Sequence, residues 1–183
     1  MRRLIACLAL AAFVTPAIAQ QRTGTDSGLP LPRFVSLKSA KVNMRVGPGR
    51  DYKVEWEYRR AGLPVEIIAE FDKWRRIRDA EGTEGWVYGA LLSGRRTVVV
   101  APWLSSGASG GGDAEASTPL IELHTSADGA ARTVARLEPG VTGRATECDG
   151  TWCHIEPHAD GVRAGWMRQS ELCGAYPGEA FGE

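Results

Sequence analysis

Three cysteines and two histidines in the last third of the chain are the side chains best suited to chemistry: Cys148, Cys153, His154, His158 and Cys173. A thiolate beside an imidazole base would suit nucleophilic catalysis, and sulfur with imidazole ligands would suit a metal such as zinc. The residues around Cys153 and His154 alternate as in a β-strand, where neighbouring side chains point to opposite faces. These two side chains are therefore separated. We expect no catalytic residues, no metal site and no cofactor, and we predict that the protein is not an enzyme.

The cysteines are better explained by a disulfide. Cys148 and Cys153 flank Asp149-Gly150, a pair typical of a hairpin turn. A bond between them suits an oxidising compartment if their Cα atoms lie within about 7 Å. We favour Cys148–Cys153, which leaves Cys173 free; the alternative is Cys148–Cys173.

The first residues have the parts of an export signal. Arg2-Arg3 is a positive n-region, Leu4 to Val14 is apolar, and Ala17-Ile18-Ala19 is a small-x-small site. We expect cleavage after Ala19 (signal peptide 1–19) and a periplasmic or secreted protein. No segment reaches the roughly 20 apolar residues that a transmembrane helix needs.

Charge differs between the two halves of the chain. Residues 34–100 carry 13 Lys/Arg against 9 Asp/Glu, and residues 115–183 carry 5 against 11. Such opposite charge indicates different surfaces or mutual attraction between the halves. Nucleic-acid binding is not expected, because no strongly basic groove is indicated.

Two stretches of the chain lack the composition of folded segments. Residues 20–33 are rich in Gly, Pro and Ser and are predicted to form a flexible leader. Residues 104–117 are Gly/Ser-rich, and such a segment cannot offset its ordering entropy, so a flexible linker is expected. These breaks leave a first domain at 34–103, which Val98 to Val100 would close, a second at 118–176, and a tail at 177–183.

The two domains repeat each other at an offset of 78 residues. The matched positions are Gly62 with Gly140, Trp74 with Trp152, and Ile77 with Ile155. Short β-branched runs alternate with polar residues and are interrupted by breakers every 8 to 15 residues, which favours two small antiparallel β-barrels in an all-β fold. Alternation places Ile77, Val87, Ile155 and Met167 inside, with Trp74, Trp86, Trp152 and Trp166 facing away or at the strand mouth.

The first domain resembles the bacterial SH3 (SH3b) family. The residues that carry the resemblance are Asn43-Met44-Arg45-Val46-Gly47-Pro48-Gly49, Gly62, Trp74-Arg75-Arg76-Ile77 and Gly85-Trp86-Val87. The second domain keeps the Gly, Trp, Ile and Gly-Trp positions but has lost the Arg-x-Gly-Pro-Gly segment. The resemblance implies two SH3-like barrels in tandem, typical of Gram-negative envelope proteins.

The resemblance also implies a function in binding. Members of this family recognise peptidoglycan stem peptides or cross-bridges, or serve as targeting modules beside cell-wall hydrolases. A groove near the loop of Gly47–Tyr52 is implied, with Tyr52, Trp74, Arg76, Trp86 and Tyr88 as ligand-binding candidates. The alternative for these side chains is a role in the barrel core and on its solvated edge. The expected ligand is peptidoglycan or an acidic peptide. The alternative function is an adaptor that recruits an envelope protein, and the oligomeric state is not predicted.

Overall fold

The computed structural model describes residues 22–105 and 119–182, so the predicted signal peptide and residues 106–118 lie outside the described residues. The first sheet and the leader contain β1 (Arg22–Thr23), β2 (Pro30–Leu31), β3 (Arg33–Leu37), β4 (Val42–Arg45), β5 (Val54–Tyr58), β6 (Pro64–Phe71), β7 (Trp74–Arg78), β8 (Glu84–Tyr88) and β9 (Leu92–Ser93). Next come β10 (Thr97–Val100), the helical turn α1 (Pro102–Ser105), β11 (Ile121–His124), β12 (Thr133–Leu137), β13 (Thr142–Asp149), β14 (Trp152–Pro157), β15 (Gly165–Arg168), β16 (Leu172–Cys173) and β17 (Ala180–Phe181). Short 3-10 turns at Gly89–Leu91 and Gln169–Glu171 precede β9 and β16.

Apart from the two-stranded β1–β2 pair, these strands form two large antiparallel sheets, which confirms the all-β prediction of two tandem SH3-like domains. The first runs in the order β5-β4-β8-β7-β6-β3-β9, and the second in the order β12-β11-β15-β14-β13-β10-β16, with β17 paired to β13. Each sheet encloses its own apolar core. The four side chains predicted to point inward are fully buried: Ile77, Val87, Ile155 and Met167.

Strand β10 belongs to the second barrel, although it follows the first barrel in sequence. It lies between β13 and β16, and Val98 and Val100 are fully buried in the second core. The prediction that Val98–Val100 closes the first domain is therefore wrong. The first sheet already has β3 between β6 and β9, whereas the second has no other strand for that place.

Backbone hydrogen bonds show that β3 and β10 are equivalent. The Gly62 N–H donates to the Leu37 carbonyl, and the Gly140 N–H donates in the same way to the Val100 carbonyl, both at 2.7 Å. The repeated unit thus starts with β3 in one copy and β10 in the other. The Gly/Ser-rich segment consequently follows the first strand of the second barrel and does not join the two barrels.

The two barrels contact each other directly. The Tyr176 hydroxyl of the second donates to Glu66 Oε1 of the first at 2.7 Å, and its ring lies 4.7 Å from that of Phe34. Glu66 also accepts two hydrogen bonds from Arg78, while Arg60 donates to Thr142 Oγ1 at 2.9 Å. Burial, and then the hydrogen bond to Glu66, raise the pKa of Tyr176 above its ordinary value. These contacts dock the barrels on each other.

The tail is also part of the second barrel. Phe181 on β17 pairs with Cys148 on β13, and the Arg96 guanidinium lies 4.5 Å from the centre of its ring. Arg96 also forms an ion pair with Glu179 at 2.6 Å. Among the described residues no helix is long and apolar enough to cross a membrane.

The leader differs from the predicted flexible segment, because Glu70 holds it. The Glu70 carboxylate accepts hydrogen bonds from the backbone of Asp26 (3.1 Å) and Ser27 (2.9 Å), from the Ser27 hydroxyl (2.7 Å) and from Arg33 (2.8 Å). The β1–β2 hairpin thereby folds against β6. Composition alone missed this, because the acceptor lies far away in sequence, on the first barrel.

We expect the anchoring of the leader to weaken in acid. Burial alone would raise the pKa of Glu70, but the hydrogen bonds from Ser27, Arg33 and Asp26 outweigh it and lower the pKa from 4.5 to about 2. A carboxylate whose pKa is lower in the folded than in the unfolded protein stabilises the fold at pH values above its unfolded-state pKa. This contribution is lost as the pH falls through its folded-state pKa. The free-energy difference of unfolding between wild type and Glu70→Gln should be constant above about pH 5 and shrink toward about pH 2.

Denaturant unfolding at a series of pH values measures this difference. Glu55→Gln, which alters an exposed carboxylate of the same barrel, is the matched control and should give little difference at any pH. A Glu70→Gln difference that does not vary with pH would contradict the prediction.

Candidate functional site

Four of the five predicted ligand-binding side chains lie on one outer face of strands β7 and β8. Trp74 is directly opposite Tyr88, and Arg76 is directly opposite Trp86. Residues two apart on a strand share a face, so the two pairs lie in adjacent rows. The rings of Trp74 and Tyr88 meet edge to face with centroids 5.7 Å apart. All three aromatic side chains are half-buried, so each keeps part of its surface open to solvent.

Arg45 extends this face onto the neighbouring strand and was not among the predicted site residues. It is opposite Trp86 across the β4–β8 pair, so Trp86 lies between Arg45 and Arg76 in one row across three strands. Arg45 Nη1 donates to the carbonyls of Arg50 (3.0 Å) and Tyr52 (2.6 Å), which fixes the guanidinium. The Asn-x-Arg segment of the family resemblance was the signal that could have indicated it.

Tyr52, the fifth candidate, lies on the loop between β4 and β5. Its side chain is 49% exposed, and a Cβ atom on Gly47 would overlap its ring. Glycine is therefore required where the loop backbone passes under the ring. Tyr52 is linked to the face through its carbonyl and Arg45, and no ring contact joins it to the other candidates within the described residues.

The charges at this face are mainly those of Arg45 and Arg76. Arg76 forms an ion pair with Glu84 at 2.9 Å and keeps 47% of its side chain exposed. Two neighbouring arginines are held in ion pairs: Arg78 binds Glu66 at 2.6 Å and lies 3.7 Å from Glu84, and Arg75 lies 3.4 Å from Glu70. The resulting face offers aromatic surface between two cationic groups.

The cysteines form the favoured disulfide. Cys148 and Cys153 are bonded, with Cα atoms 4.1 Å apart across the β13–β14 hairpin, and Cys173 is free. The turn is one residue later than predicted: Asp149 ends β13, and its side chain accepts the backbone N–H groups of Thr151 and Trp152 at 2.7 Å. The cysteine pairing is thus confirmed.

His154 does not face the cysteines, as strand alternation predicts. Its Nδ1 lies 2.8 Å from Thr146 Oγ1, on the side of β14 opposite to the buried Cys153. In the part of the chain that the structure describes, no group of three or more His, Cys, Asp and Glu side chains could hold a metal ion.

A groove of about 420 Å³ lies where the barrels meet. Residues from both barrels line it, including Trp56, Arg60, Val99 and Gly140. None of the predicted ligand-binding residues lines this groove, so the aromatic face and the groove are separate features.

The model of the bacterial SH3 domain family matches residues 38–94 and 123–174, one region in each barrel. The chain belongs to the bacterial SH3 domain family. Both matched regions begin after the first strand of their barrel, so neither includes β3 or β10. Among curated proteins, no relative matches the sequence.

Solved structures with some similarity are longer proteins. NlpC1 of Trichomonas vaginalis shares 11% identity over 82% of this chain and 48% of that chain, with a TM-score of 0.32. NlpC2 of the same organism shares 10% over 78% and 48%, with a TM-score of 0.29. An NlpC/P60 family protein of Bacillus cereus shares 10% over 76% and 55%, with a TM-score of 0.31. This chain thus spans about half the length of these proteins.

Proposed function

We propose that this bacterial SH3 protein is an exported, non-catalytic binding protein of the cell envelope whose first barrel recognises peptidoglycan. The observation that carries the proposal is the single outer face that combines Trp74, Tyr88 and Trp86 with Arg45 and Arg76. Export rests on the signal sequence of residues 1–19. The disulfide agrees with it, because disulfides persist in oxidising compartments.

The chemistry of the face matches a ligand that has both carboxylates and apolar groups. Arg45 and Arg76 flank Trp86, and a guanidinium binds a carboxylate through paired N–H donors. Half-buried indole and phenol rings offer apolar surface, and these side chains lose little conformational entropy on binding. Peptidoglycan stem peptides carry free carboxylates on short chains, so they fit this combination.

A pull-down on purified Gram-negative sacculi tests the proposal. The chain from Gln20 onward should be retained, and Trp74→Ala/Trp86→Ala should lose retention because the aromatic surface is removed. Arg76→Ala, at an exposed position, should weaken binding about tenfold without affecting the fold, since a hydrogen-bonded charge is lost. Circular dichroism checks that each variant is folded.

Trp103→Ala is the matched control, because Trp103 is 52% exposed and lies outside the face. Its retention should equal that of wild type. If wild type is not retained, the peptidoglycan proposal fails, and salt-sensitive capture of an envelope protein would then support the adaptor function. Equal loss in the Trp103→Ala control would show that retention does not depend on the face.

A further inference from the structure

The second barrel repeats the aromatic face of the first with different charged groups. In the first barrel, Arg45 and Arg76 flank Trp86 on the two neighbouring strands. In the second, His124 and His154 flank Trp166 in the same register. Two permanent cations are thus replaced by two imidazoles.

The adjacent row of the face is changed as well. Trp152 is opposite Arg168, where the first barrel pairs Trp74 with Tyr88. The Arg168 guanidinium lies 4.8 Å from the centre of the Trp152 ring, and the ring of His124 meets Trp152 edge to face at 5.6 Å. Trp152 is thereby covered to 6% exposure, while Arg168 is exposed and Trp166 and His154 are half-buried.

Each of the two imidazoles has its Nδ1 within hydrogen-bond distance of another residue of the second barrel. His124 Nδ1 lies 3.0 Å from the Ala131 carbonyl, which can only accept, so Nδ1 carries the proton. Thr146 Oγ1 lies 2.8 Å from His154 Nδ1 and 3.2 Å from the His154 carbonyl, so when its single proton goes to the carbonyl it accepts from Nδ1. In this tautomer a neutral ring has a bare Nε2, and protonation converts Nε2 into a donor. No partner of either Nε2 is found among the residues described.

Other charged groups surround the two imidazoles. Glu147 is opposite His154 on β13, and Glu122 on β11 is bound by Arg136 at 3.0 Å. Glu171 follows β15 near Arg168 and His124, and burial raises its pKa. Its charge is thus lost earlier than that of an ordinary glutamate as pH falls. Arg168 is the permanent cation at this face.

We propose that the face formed by His124, His154, Trp166 and Arg168 is a second binding site, specific for a carboxylate-bearing ligand. The half-exposed His154 and the exposed Arg168 make the direct contacts, and the nearly buried His124 packs against the Trp152 ring beneath them. This site goes beyond the proposed function, which concerns the first barrel alone. His154 and Arg168 distinguish it from the face that carries Arg45 and Arg76.

Nuclear magnetic resonance titration of residues 20–183 with a triglutamate peptide tests the site, with trilysine as the comparison probe. The indole N–H signals of Trp152 and Trp166, assigned with Trp→Phe variants, should shift with triglutamate at about pH 5.5. Arg168→Ala should weaken the affinity about tenfold, since a charge-assisted hydrogen bond is lost. The signals of Trp74 and Trp86 report the first barrel separately.

His154→Asn is the decisive variant, because an amide can still donate to Thr146 while Nε2 is removed. It should weaken the binding of triglutamate, whereas the nearly buried His124 makes His124→Asn the milder change. His158→Asn is the matched control, since the His158 ring lies 3.5 Å from Thr142 and not at this face. Unchanged Trp166 signals with triglutamate, equal shifts with trilysine, or full triglutamate affinity in folded His154→Asn would each overturn the proposal.

Discussion

Val98→Asp is expected to unfold the second barrel while the first barrel stays folded. Val98 is fully buried, with 0% exposure, and its neighbours are those of the second core. The substitution loses about 1.5–3 kcal/mol of apolar burial and adds the several kcal/mol needed to bury an unpaired polar group. Together these are comparable with the stability of a typical domain, about 5–15 kcal/mol.

The protein has six tryptophans, and their indole N–H signals report the folding of each barrel separately by nuclear magnetic resonance. The indole signals of Trp152 and Trp166 should collapse toward unfolded positions, while those of Trp74 and Trp86 keep their native positions. Val46→Asp, at a position 51% exposed in the first barrel, should leave all of them in place. Collapse of the first-barrel signals instead would mean that β10 stabilises the first barrel, as the sequence had predicted.

Removal of the disulfide is expected to destabilise the second barrel by about 2 kcal/mol, from the loop-entropy relation applied to a short closed loop. Cys148 and Cys153 are five residues apart and close the β13–β14 hairpin, which has β10, β15 and β17 as its further strand neighbours. Cys148→Ala/Cys153→Ala should therefore lower the denaturant midpoint of the second barrel. The measurement is denaturant unfolding followed by the fluorescence of Trp152 and Trp166, in a background in which the four other tryptophans (Trp56, Trp74, Trp86 and Trp103) are replaced by Phe.

Cys173→Ala is the matched control, because Cys173 is the free cysteine of the described residues. It should have a much smaller effect, and a reducing agent should shift the midpoint of Cys173→Ala but not that of the double variant. If the double variant unfolded at the same midpoint as wild type, the disulfide would be structurally redundant.

The fold was largely predictable because its signals are local. Ile77 and Ile155 follow their tryptophans by three residues, and both are fully buried as strand alternation requires. The same alternation separated Cys153 from His154 and brought four predicted ligand residues onto one face. The cysteine pairing followed from two residues that flank a turn.

The errors arose where the decisive partner lies far away in sequence. Val98 and Val100 read equally well as the last strand of one barrel or the first of the next, and the Gly/Ser-rich segment after them favoured the wrong choice. The leader has the composition of a flexible chain, but Glu70 supplies the acceptor that its backbone needs. Arg45 was missed because its place beside Trp86 depends on the pairing of β4 with β8.

The position of β10 determines how the protein should respond to a protease. A cut anywhere in residues 106–118 interrupts the chain inside the second barrel, after its first strand, and leaves β10 attached to the first barrel. That strand remains paired with β13 and β16 and fills the second core with Val98 and Val100. The two pieces therefore hold each other by non-covalent contacts alone, and the nicked protein behaves as one particle until denaturant separates them.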